Sequence, residues 1–165
     1  MAATPNPDSR VRVSIATERD VARMIPLVND AFAIETLLDG TRTDEQGMAE
    51  KMQKGEFLLA EDESGQPLAC VYVELRGERG YFGMLAVDPS QQGKGLGRLM
   101  VDAAEDHCRE RGCKFMDITV LSLRTELPPF YRKLGYVAAG TEPFQPVHSL
   151  RAGVECHCIV MSKTL

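Results

Sequence analysis

The sequence predicts one α/β domain built on a mixed, mostly antiparallel sheet flanked by helices. Three observations support this prediction. The 165 residues are 44% apolar and 26% charged, the balance of a globular chain that can bury a sizeable core. Segments of β-type alternation are interleaved with segments of helical period. No Pro/Gly/Ser-rich linker interrupts residues 11–165, whereas residues 1–10 carry two prolines and are expected to form a disordered leader.

A strand and a helix open the domain. Apolar and polar residues alternate over 11–15, as in a half-buried strand. Thr17 and Asp20 then provide an N-cap and an acidic first turn. Apolar residues recur at helical spacing from Val21 to Phe32, which predicts an amphipathic helix there.

A second helix and three strands follow. Thr43 and Gln46 form a capping-box pair for a helix that ends at Gly55. Three β-rich runs come next, and the turn residues between them predict antiparallel hairpins. These strands are expected at 57–61, 68–75 and 81–87.

The second half of the chain contains one β-helix-β crossover. An apolar stripe over 99–108 predicts a long helix that ends at Gly112, and 115–121 is the strand after it. Two adjacent prolines favour the first turn of a short helix. That helix and the last two strands are expected at 126–134, 136–138 and 154–161. The predicted order of elements is therefore βααβββαβαββ.

The composition excludes several functional classes. Lys and Arg number 19 against 24 Asp and Glu, a net charge of −5 at pH 7, so we expect neither a nucleic-acid partner nor a membrane partner. No run approaches the ~20 apolar residues of a membrane span. An odd number of thinly spread cysteines indicates reduced thiols and a cytoplasmic location. They are Cys70, Cys108, Cys113, Cys156 and Cys158.

The run Glu155-Cys156-His157-Cys158 is the segment that most resembles a metal-binding motif. In a strand, Cys156 and Cys158 share one face and His157 lies on the other. A structural metal usually takes four ligands, and no second pair of ligands lies nearby in the sequence. We therefore expect no metal in this protein.

The strongest chemical signal is a glycine-rich turn between a strand and the N-terminus of the long helix. Backbone N–H groups and the helix dipole favour an anion there, and glycines let the backbone approach a ligand closely. Lys94 and Arg98 add positive charge at the same end. The turn is therefore a candidate phosphate-binding site. Its residues are Gln92, Gly93, Lys94, Gly95, Leu96, Gly97 and Arg98.

Two familiar phosphate motifs do not fit this turn. A Walker A loop requires Ser or Thr directly after its lysine, and Lys94 is followed by Gly95. In a dinucleotide fingerprint the third glycine would fall on Arg98 or Met100, and the preceding strands form hairpins instead of a βαβ unit. A strand-to-helix turn without a ligand stays as the alternative.

Three motifs in a fixed order resemble the GNAT superfamily of acetyl-CoA-dependent N-acetyltransferases. The family's signature, Gln/Arg-x-x-Gly-x-Gly/Ala directly after a strand, is filled by Gln92, Gly95 and Gly97. Residues 83–89 look like the strand before the signature, and residues 130–136 look like the motif after the next strand. The resemblance covers nearly the whole domain.

This resemblance implies a splayed central sheet and direct transfer of an acetyl group from acetyl-CoA, the co-substrate, to a primary amine in a ternary complex. The acceptor would be a small molecule or a peptide. The coenzyme's pyrophosphate would meet the amides of 92–97, and its pantetheine arm would pair with strand backbone in the gap of the sheet. The strand residues implied are Leu85, Ala86 and Val87. Relatives often pair through their C-terminal strands, so a homodimer is one option.

Acyl transfer from a thioester requires a proton for the departing thiolate. Tyr131 matches the family's general acid. A phenol with a pKa of about 10 stays protonated at neutral pH, and a thiol near about 8.5 is close to it. The resemblance also implies that a backbone N–H near Leu85 stabilises the oxyanion. The alternative for Tyr131 is an aromatic side chain that only packs beside Phe130.

Several carboxylates are candidates for the base that deprotonates the amine. An alkyl amine with a pKa of about 10.4 is mostly charged at neutral pH, so a carboxylate acting directly or through water is expected. Many relatives carry a Glu on the strand before the signature, where this chain has none. Glu74 is preferred, because its neighbouring strand can point it toward the cleft. The other candidates are Glu35, Asp117 and Glu126.

The acceptor and the role of one arginine stay open from the sequence. An Asn that precedes the tyrosine motif in many relatives is absent, and Arg124 in that stretch could hold either a substrate carboxylate or a coenzyme phosphate. Acidic residues near the presumed entrance favour a cationic amine, whereas Arg42 and Arg124 favour the opposite. The missing strand Glu also leaves a second interpretation, a non-catalytic module that binds acyl-CoA for regulation.

Overall fold

The segments of β and helical period fold in the predicted order. The computed structural model describes residues 11–33, 41–144, 153 and 155–165, so the expected leader at 1–10 lies outside the described residues. The helices are α1 (Val21–Ala31), α2 (Glu45–Lys54), α3 (Leu96–Glu110) and α4 (Leu127–Lys133). The strands are β1 (Arg12–Ile15), β2 (Glu56–Glu61), β3 (Pro67–Arg76), β4 (Arg79–Val87), β5 (Phe115–Leu121), β6 (Val137–Pro143) and β7 (His157–Thr164).

The seven strands that the structure describes form one sheet in the order β1-β2-β3-β4-β5-β7-β6. All neighbours are antiparallel except β4 and β5, which α3 connects as a crossover. This parallel pair extends only over 79–81 opposite 115–117. Beyond that point the two strands separate and the sheet is splayed. The predicted α/β fold with a mixed, mostly antiparallel sheet is therefore confirmed.

Helices cover both faces of the sheet, so β2 and β3 are buried along most of their length. One core cluster joins α3 to the sheet and includes Phe82 and Met100. A second cluster joins α1 and α2 to the opposite face and includes Val28, Met48 and Met84. Because Phe82 and Met84 belong to different clusters, β4 is held from both sides at the point where it leaves β5.

The N-terminus of α2 differs from the prediction by one residue. Asp44 is the N-cap, and its Oδ1 accepts a hydrogen bond from the N–H of Gly47 at 2.8 Å. Thr43, the predicted cap, is buried instead. Its N–H donates to Oδ1 of Asn29 (2.9 Å) and its carbonyl accepts from Nδ2 of Asn29 (3.1 Å). The long-range pairing with α1 fixes Thr43 outside the helix, and the cap moves to the next residue.

Replacing Asp44 with Ala is expected to lower the free energy of unfolding by about 0.5–2 kcal/mol, the usual cost of losing an N-cap. Urea unfolding measures this change. Glu45→Ala is the matched control, because it removes a first-turn carboxylate that does not cap the helix, and we expect a loss of only about 0.3 kcal/mol. Equal losses in the two variants would contradict the assignment of the cap.

The last two strands begin later than predicted. β6 begins at Val137, and β7 occupies 157–164 instead of 154–161. Tyr136 is buried, and its N–H donates to the carbonyl of Tyr131 at 3.1 Å, so it closes the turn after α4. β7 lies between β5 and β6, and its bounds follow the register with both partners. The residues of β7 taken alone do not specify how it pairs with its two neighbours, so the sequence could not predict these bounds.

Candidate active site

A cleft opens where β4 and β5 separate. Two cavities lie along it, a larger one of about 490 Å³ beside α2 and a smaller one of about 140 Å³ beside α4. Residues of both strands line both cavities: Gly83 and Met84 on β4, and Thr119 and Leu121 on β5. The two cavities therefore meet between the separating strands.

The backbone of β4 is irregular at this meeting point. Two residues of β4 oppose one residue of β3 between the pairs Cys70–Ala86 and Tyr72–Gly83, which is a β-bulge. Met84 lies in the bulge with φ of 48°, a left-handed conformation that costs a residue with a side chain about 1–3 kcal/mol. The sequence carries no signal for it, because methionine has no preference for positive φ.

The turn before α3 has a conformation that requires glycine. Gly93 and Gly95 have φ of 81° and 80°, and a Cβ at either position would meet no described atom within 4 Å. Backbone conformation, rather than crowding, therefore demands glycine there. Gly95 is the N-cap of α3, and no side chain caps its first turn. The N–H groups at the start of this 15-residue helix are thus available to an anion.

The remaining residues of the turn divide into exposed and anchoring positions. Gln92, Lys94 and Arg98 are exposed, so two cationic side chains flank the free N–H groups. Leu96 is buried in the core beneath them. Gly97 is half-buried against Phe130 of α4, where a Cβ would lie 3.7 Å from the ring. One side of the turn therefore packs on the protein through Leu96 and Gly97, and the other side is exposed to solvent.

One of the three strand residues predicted to meet the coenzyme lines the cleft, and the other two follow it along β4. Leu85 lines the smaller cavity. Ala86 and Val87 pair with Cys70 and Ala69 of β3, so one backbone edge is occupied. The other edge faces the space that β5 leaves after 81, where the described part of the chain supplies no strand partner. An extended ligand can pair with such an edge.

Tyr131 lines the smaller cavity from α4. Its ring packs against Phe82, Phe130 and Tyr136, with ring centroids 5.0–6.1 Å apart. Burial raises the pKa of its phenol to about 12. None of the residues that the structure describes hydrogen-bonds to its hydroxyl. The packing role and the proton-donor role considered from the sequence are therefore compatible in one side chain.

Glu74 lies in the wall of the larger cavity. Its Oε1 accepts a hydrogen bond from Nε of Arg76 (2.9 Å), and its Oε2 accepts one from the hydroxyl of Tyr72 (2.8 Å). These donors, Arg76 above all, hold the pKa of Glu74 below its usual range. The carboxylate is therefore ionised at neutral pH and held in one orientation at the cleft.

The other carboxylates considered as bases lie elsewhere. Asp117 accepts two hydrogen bonds from Arg79, at 2.6 and 2.7 Å. Glu126 accepts one from Nε of Arg124 at 2.5 Å. Neither carboxylate lines either cavity. Glu35 lies outside the described residues.

The structure adds cleft residues that the sequence did not mark. The hydroxyl of Tyr81 lies 3.3 Å from Oγ1 of Thr119, a contact that bridges β4 and β5 just where they separate. The guanidinium of Arg76 lies 4.3 Å from the centroid of the Tyr81 ring, and the ammonium of Lys51 lies 4.7 Å from that of Tyr72. In the sequence these are ordinary strand and helix positions. Their proximity follows from the splay and from the packing of α2.

One of the two cysteines near the C-terminus contributes to the cavity wall. Cys158 lines the larger cavity, and Sγ of Cys156 lies 3.7 Å from Oγ of Ser122. Among the described residues, no three His, Cys, Asp or Glu side chains are grouped in a way that could hold a metal ion. Over the same residues, no helix combines the length and the apolar character needed to cross a membrane.

Comparison with known proteins identifies the relatives of this chain. Residues 22–136 match the sequence model of the acetyltransferase (GNAT) family. A mycothiol acetyltransferase from Propionibacterium freudenreichii subsp. shermanii is 32% identical over 90 residues, which are 52% of this chain and 29% of that protein. The chain thus spans well under half the length of this relative.

Solved structures share the fold across nearly the whole chain. The ribosomal-protein-S18-alanine N-acetyltransferase of Escherichia coli superposes with a TM-score of 0.77 at 18% identity, covering 93% of both chains. The protein yncA from Salmonella typhimurium, solved with its cofactor acetyl-CoA, has a TM-score of 0.71 at 20% identity and covers 94% of both. The splayed sheet, the glycine turn and the matched residues agree: the chain belongs to the acetyltransferase (GNAT) family.

Proposed function

We propose that this chain transfers an acetyl group from acetyl-CoA to a primary amine by direct attack in a ternary complex. Membership of the family makes the chain an acyltransferase and supports acetyl-CoA as the donor. The observation that carries the proposal is the meeting of two cavities at Gly83, Met84 and Thr119. A thioester in the smaller cavity and an amine in the larger one would face each other there without a covalent enzyme intermediate.

The residues of the glycine turn and of β4 fit the coenzyme. The uncapped N–H groups between Gln92 and Gly97 suit a pyrophosphate, with Lys94 and Arg98 beside them. The free edge of β4 at Leu85–Val87 suits the amide groups of the pantetheine arm, which would add to the sheet as a short strand. The bulge at Met84 leaves backbone groups outside the ladder with β3, and an N–H near Leu85 is our candidate for oxyanion stabilisation.

Tyr131 is our candidate for the general acid. With a pKa raised to about 12 it remains protonated at neutral pH and keeps a proton to donate. A thiolate that forms in the same buried cavity loses hydration as well, so the pKa of its thiol also rises. Because both groups are buried, the pKa of the phenol and the pKa of the thiol differ less than burial of the phenol alone would make them differ. The proton can therefore pass from the phenol to the sulfur as the C–S bond breaks.

Glu74 is our candidate for the group that receives the amine. Because it is ionised, it attracts the ammonium form and accepts its proton directly or through one water molecule. Its two internal donors lower its basicity but fix its position. Positioning of the amine is therefore the larger part of its expected contribution.

The test of the proposed function is release of free thiol from acetyl-CoA in the presence of primary amines. Amines, amino acids, aminoglycosides and peptides form the panel, and mass spectrometry of the acceptor identifies an N-acetyl product. We expect turnover with at least one class. Saturable binding of acetyl-CoA without turnover on any member would instead favour the non-catalytic acyl-CoA-binding module.

Replacing Glu74 with Gln is expected to lower kcat/KM about 10- to 100-fold at pH 7, because the substitution removes the negative charge while keeping the size of the side chain. The deficit should shrink as the pH approaches the amine's pKa of about 10.4, where solvent supplies the free amine. Steady-state kinetics from pH 7 to about 10 measure both effects. Glu126→Gln, which alters a carboxylate outside both cavities, should stay within about twofold of the unmodified chain. A similar loss in both variants would exclude a specific role for Glu74.

A further inference from the structure

We infer that the larger cavity selects amines that carry a carboxylate, as amino acids do, and that Lys51 on α2 binds this carboxylate. The inference rests on the proposed function, since it assigns the acceptor class of the same site. It decides between the opposite expectations that the charged residues near the entrance raise from the sequence alone.

The cavity wall carries four cationic side chains and three acidic ones among the described residues. Its acidic residues all have partners within the protein: Asp44 caps α2, Glu50 accepts a hydrogen bond from Gln46 (3.1 Å), and Glu74 accepts two. Four cationic side chains face the same space, namely Arg42, Lys51, Lys54 and Arg76. A ligand that is only cationic would therefore enter a cavity with a cationic surplus.

Lys51 is the cation whose surroundings most require an anion. Its side chain is half-buried, and its ammonium lies over the face of the Tyr72 ring at 4.7 Å. Within the described residues it forms no hydrogen bond and no ion pair. Burial lowers the pKa of this ammonium, Arg42 lowers it further, and Glu74 acts in the opposite sense. An ammonium that is partly desolvated without an acceptor gains most from a carboxylate ligand.

The other cations are less suited to this task. Arg76 is engaged with Glu74 and stacks on the Tyr81 ring, and the guanidinium of Arg42 lies 4.7 Å from the Phe32 ring centroid. Lys54 is exposed at the end of α2. A carboxylate beside Lys54 would keep most of its hydration, so it would gain little from this contact.

The same wall also holds a place for the amine. Tyr72 contacts Lys51 through its ring face and Glu74 through its hydroxyl, so the two charged groups lie at different parts of one side chain. An acceptor with both charges can therefore place its carboxylate at Lys51 and its ammonium at Glu74. Glu74 is paired with Tyr81 across β3 and β4, and the hydroxyl of Tyr81 contacts Thr119, which lines both cavities, so an amine at Glu74 lies near the point where the cavities meet.

Matched acceptor pairs test this inference. L-phenylalanine and L-phenylalaninamide differ only in the carboxylate, as do other amino acids and their amides. Kinetics measured with acetyl-CoA are corrected for the unprotonated fraction of each amine, because the amides have more acidic ammonium groups. We expect the unmodified chain to favour the carboxylates at least tenfold in kcat/KM across such pairs.

Lys51→Met should remove this preference by raising KM for the carboxylate at least tenfold, while kcat/KM for the amide stays within about twofold. Lys51→Arg should restore part of the preference. Lys114→Met is the control for loss of a positive charge, because Lys114 pairs with Glu78 away from both cavities and should leave the preference intact.

The outcomes separate this inference from the proposed function. Turnover without preference for carboxylates, or an equal loss on both members of each pair in Lys51→Met, would overturn the inference and leave N-acetyl transfer standing. Absence of thiol release with every amine, while acetyl-CoA binds, would overturn the proposed function itself and the inference with it.

Discussion

Tyr131→Phe is expected to bind acetyl-CoA with nearly unchanged affinity and to turn over about 100-fold more slowly or worse, because a general acid contributes about 10²–10⁴ in rate. The substitution removes the hydroxyl and keeps the ring that packs against Phe82, Phe130 and Tyr136. Since none of the described residues hydrogen-bonds to that hydroxyl, its loss leaves no protein group without a partner. Calorimetric titration with acetyl-CoA and steady-state thiol release separate binding from turnover.

Tyr136→Phe is the matched control for this experiment. The two rings are neighbours at 6.0 Å, but the hydroxyl of Tyr136 points to Glu105, a buried carboxylate that Lys163 also contacts at 2.6 Å. Its loss should change thermal stability slightly and leave turnover within about twofold. If Tyr131→Phe kept full turnover, Tyr131 would have no role in the chemistry, although the coenzyme site would be unaffected.

The pH dependence supplies a second check on Tyr131. Its phenol has a raised pKa of about 12, so the donor form is complete at lower pH and is lost only as the pH rises through about 12. We therefore expect no alkaline decline of kcat from this residue up to pH 10. A decline of kcat below pH 10 that disappears in Tyr131→Phe would show that the phenol loses its proton in this range, and it would contradict the raised pKa.

Gly95→Val is expected to weaken acetyl-CoA binding at least 100-fold. Gly95 has φ of 80°, a region that costs an L-residue about 1–2 kcal/mol, and valine is among the residues least able to adopt it. The backbone must rotate to relieve the strain, and the new side chain projects beside N–H groups that the pyrophosphate would use. Titration calorimetry with acetyl-CoA measures the loss.

Gly112→Val at the other end of α3 is the matched control. Gly112 also has a positive φ, of 87°, and also has open space at the position of a Cβ. Both variants should therefore lose similar stability, while only Gly95→Val loses coenzyme affinity. Retained affinity in Gly95→Val, or equal loss of affinity in both variants, would argue against the turn as the pyrophosphate site.

Local patterns in the sequence were sufficient to predict the order of strands and helices and the glycine turn before α3. The order of strands and helices follows from the period of apolar residues, which is a property of neighbouring positions. Gly95 and Gly112 mark the two ends of α3 because positive φ selects glycine at single positions. Tyr131 and the glycine turn were found through motifs of a few consecutive residues.

Features that depend on long-range pairing were missed or displaced. The cap of α2 moved from Thr43 to Asp44 because Asn29, fourteen residues away from Thr43, binds the backbone of Thr43. The bounds of β7 depend on its register with two other strands. Neither interaction has a signature in the residues that it affects.

The residue types and their local spacing by themselves determined an α/β domain with a glycine turn before its long helix, and the family resemblance added Tyr131 as the candidate proton donor. The tertiary structure alone decided where β4 and β5 separate, which cavities meet there, and that Lys51, Glu74 and Thr119 face one space. The physical reason is that backbone conformation and amphipathic period are set over a few residues. A cavity is set by packing between elements that the sequence holds far apart.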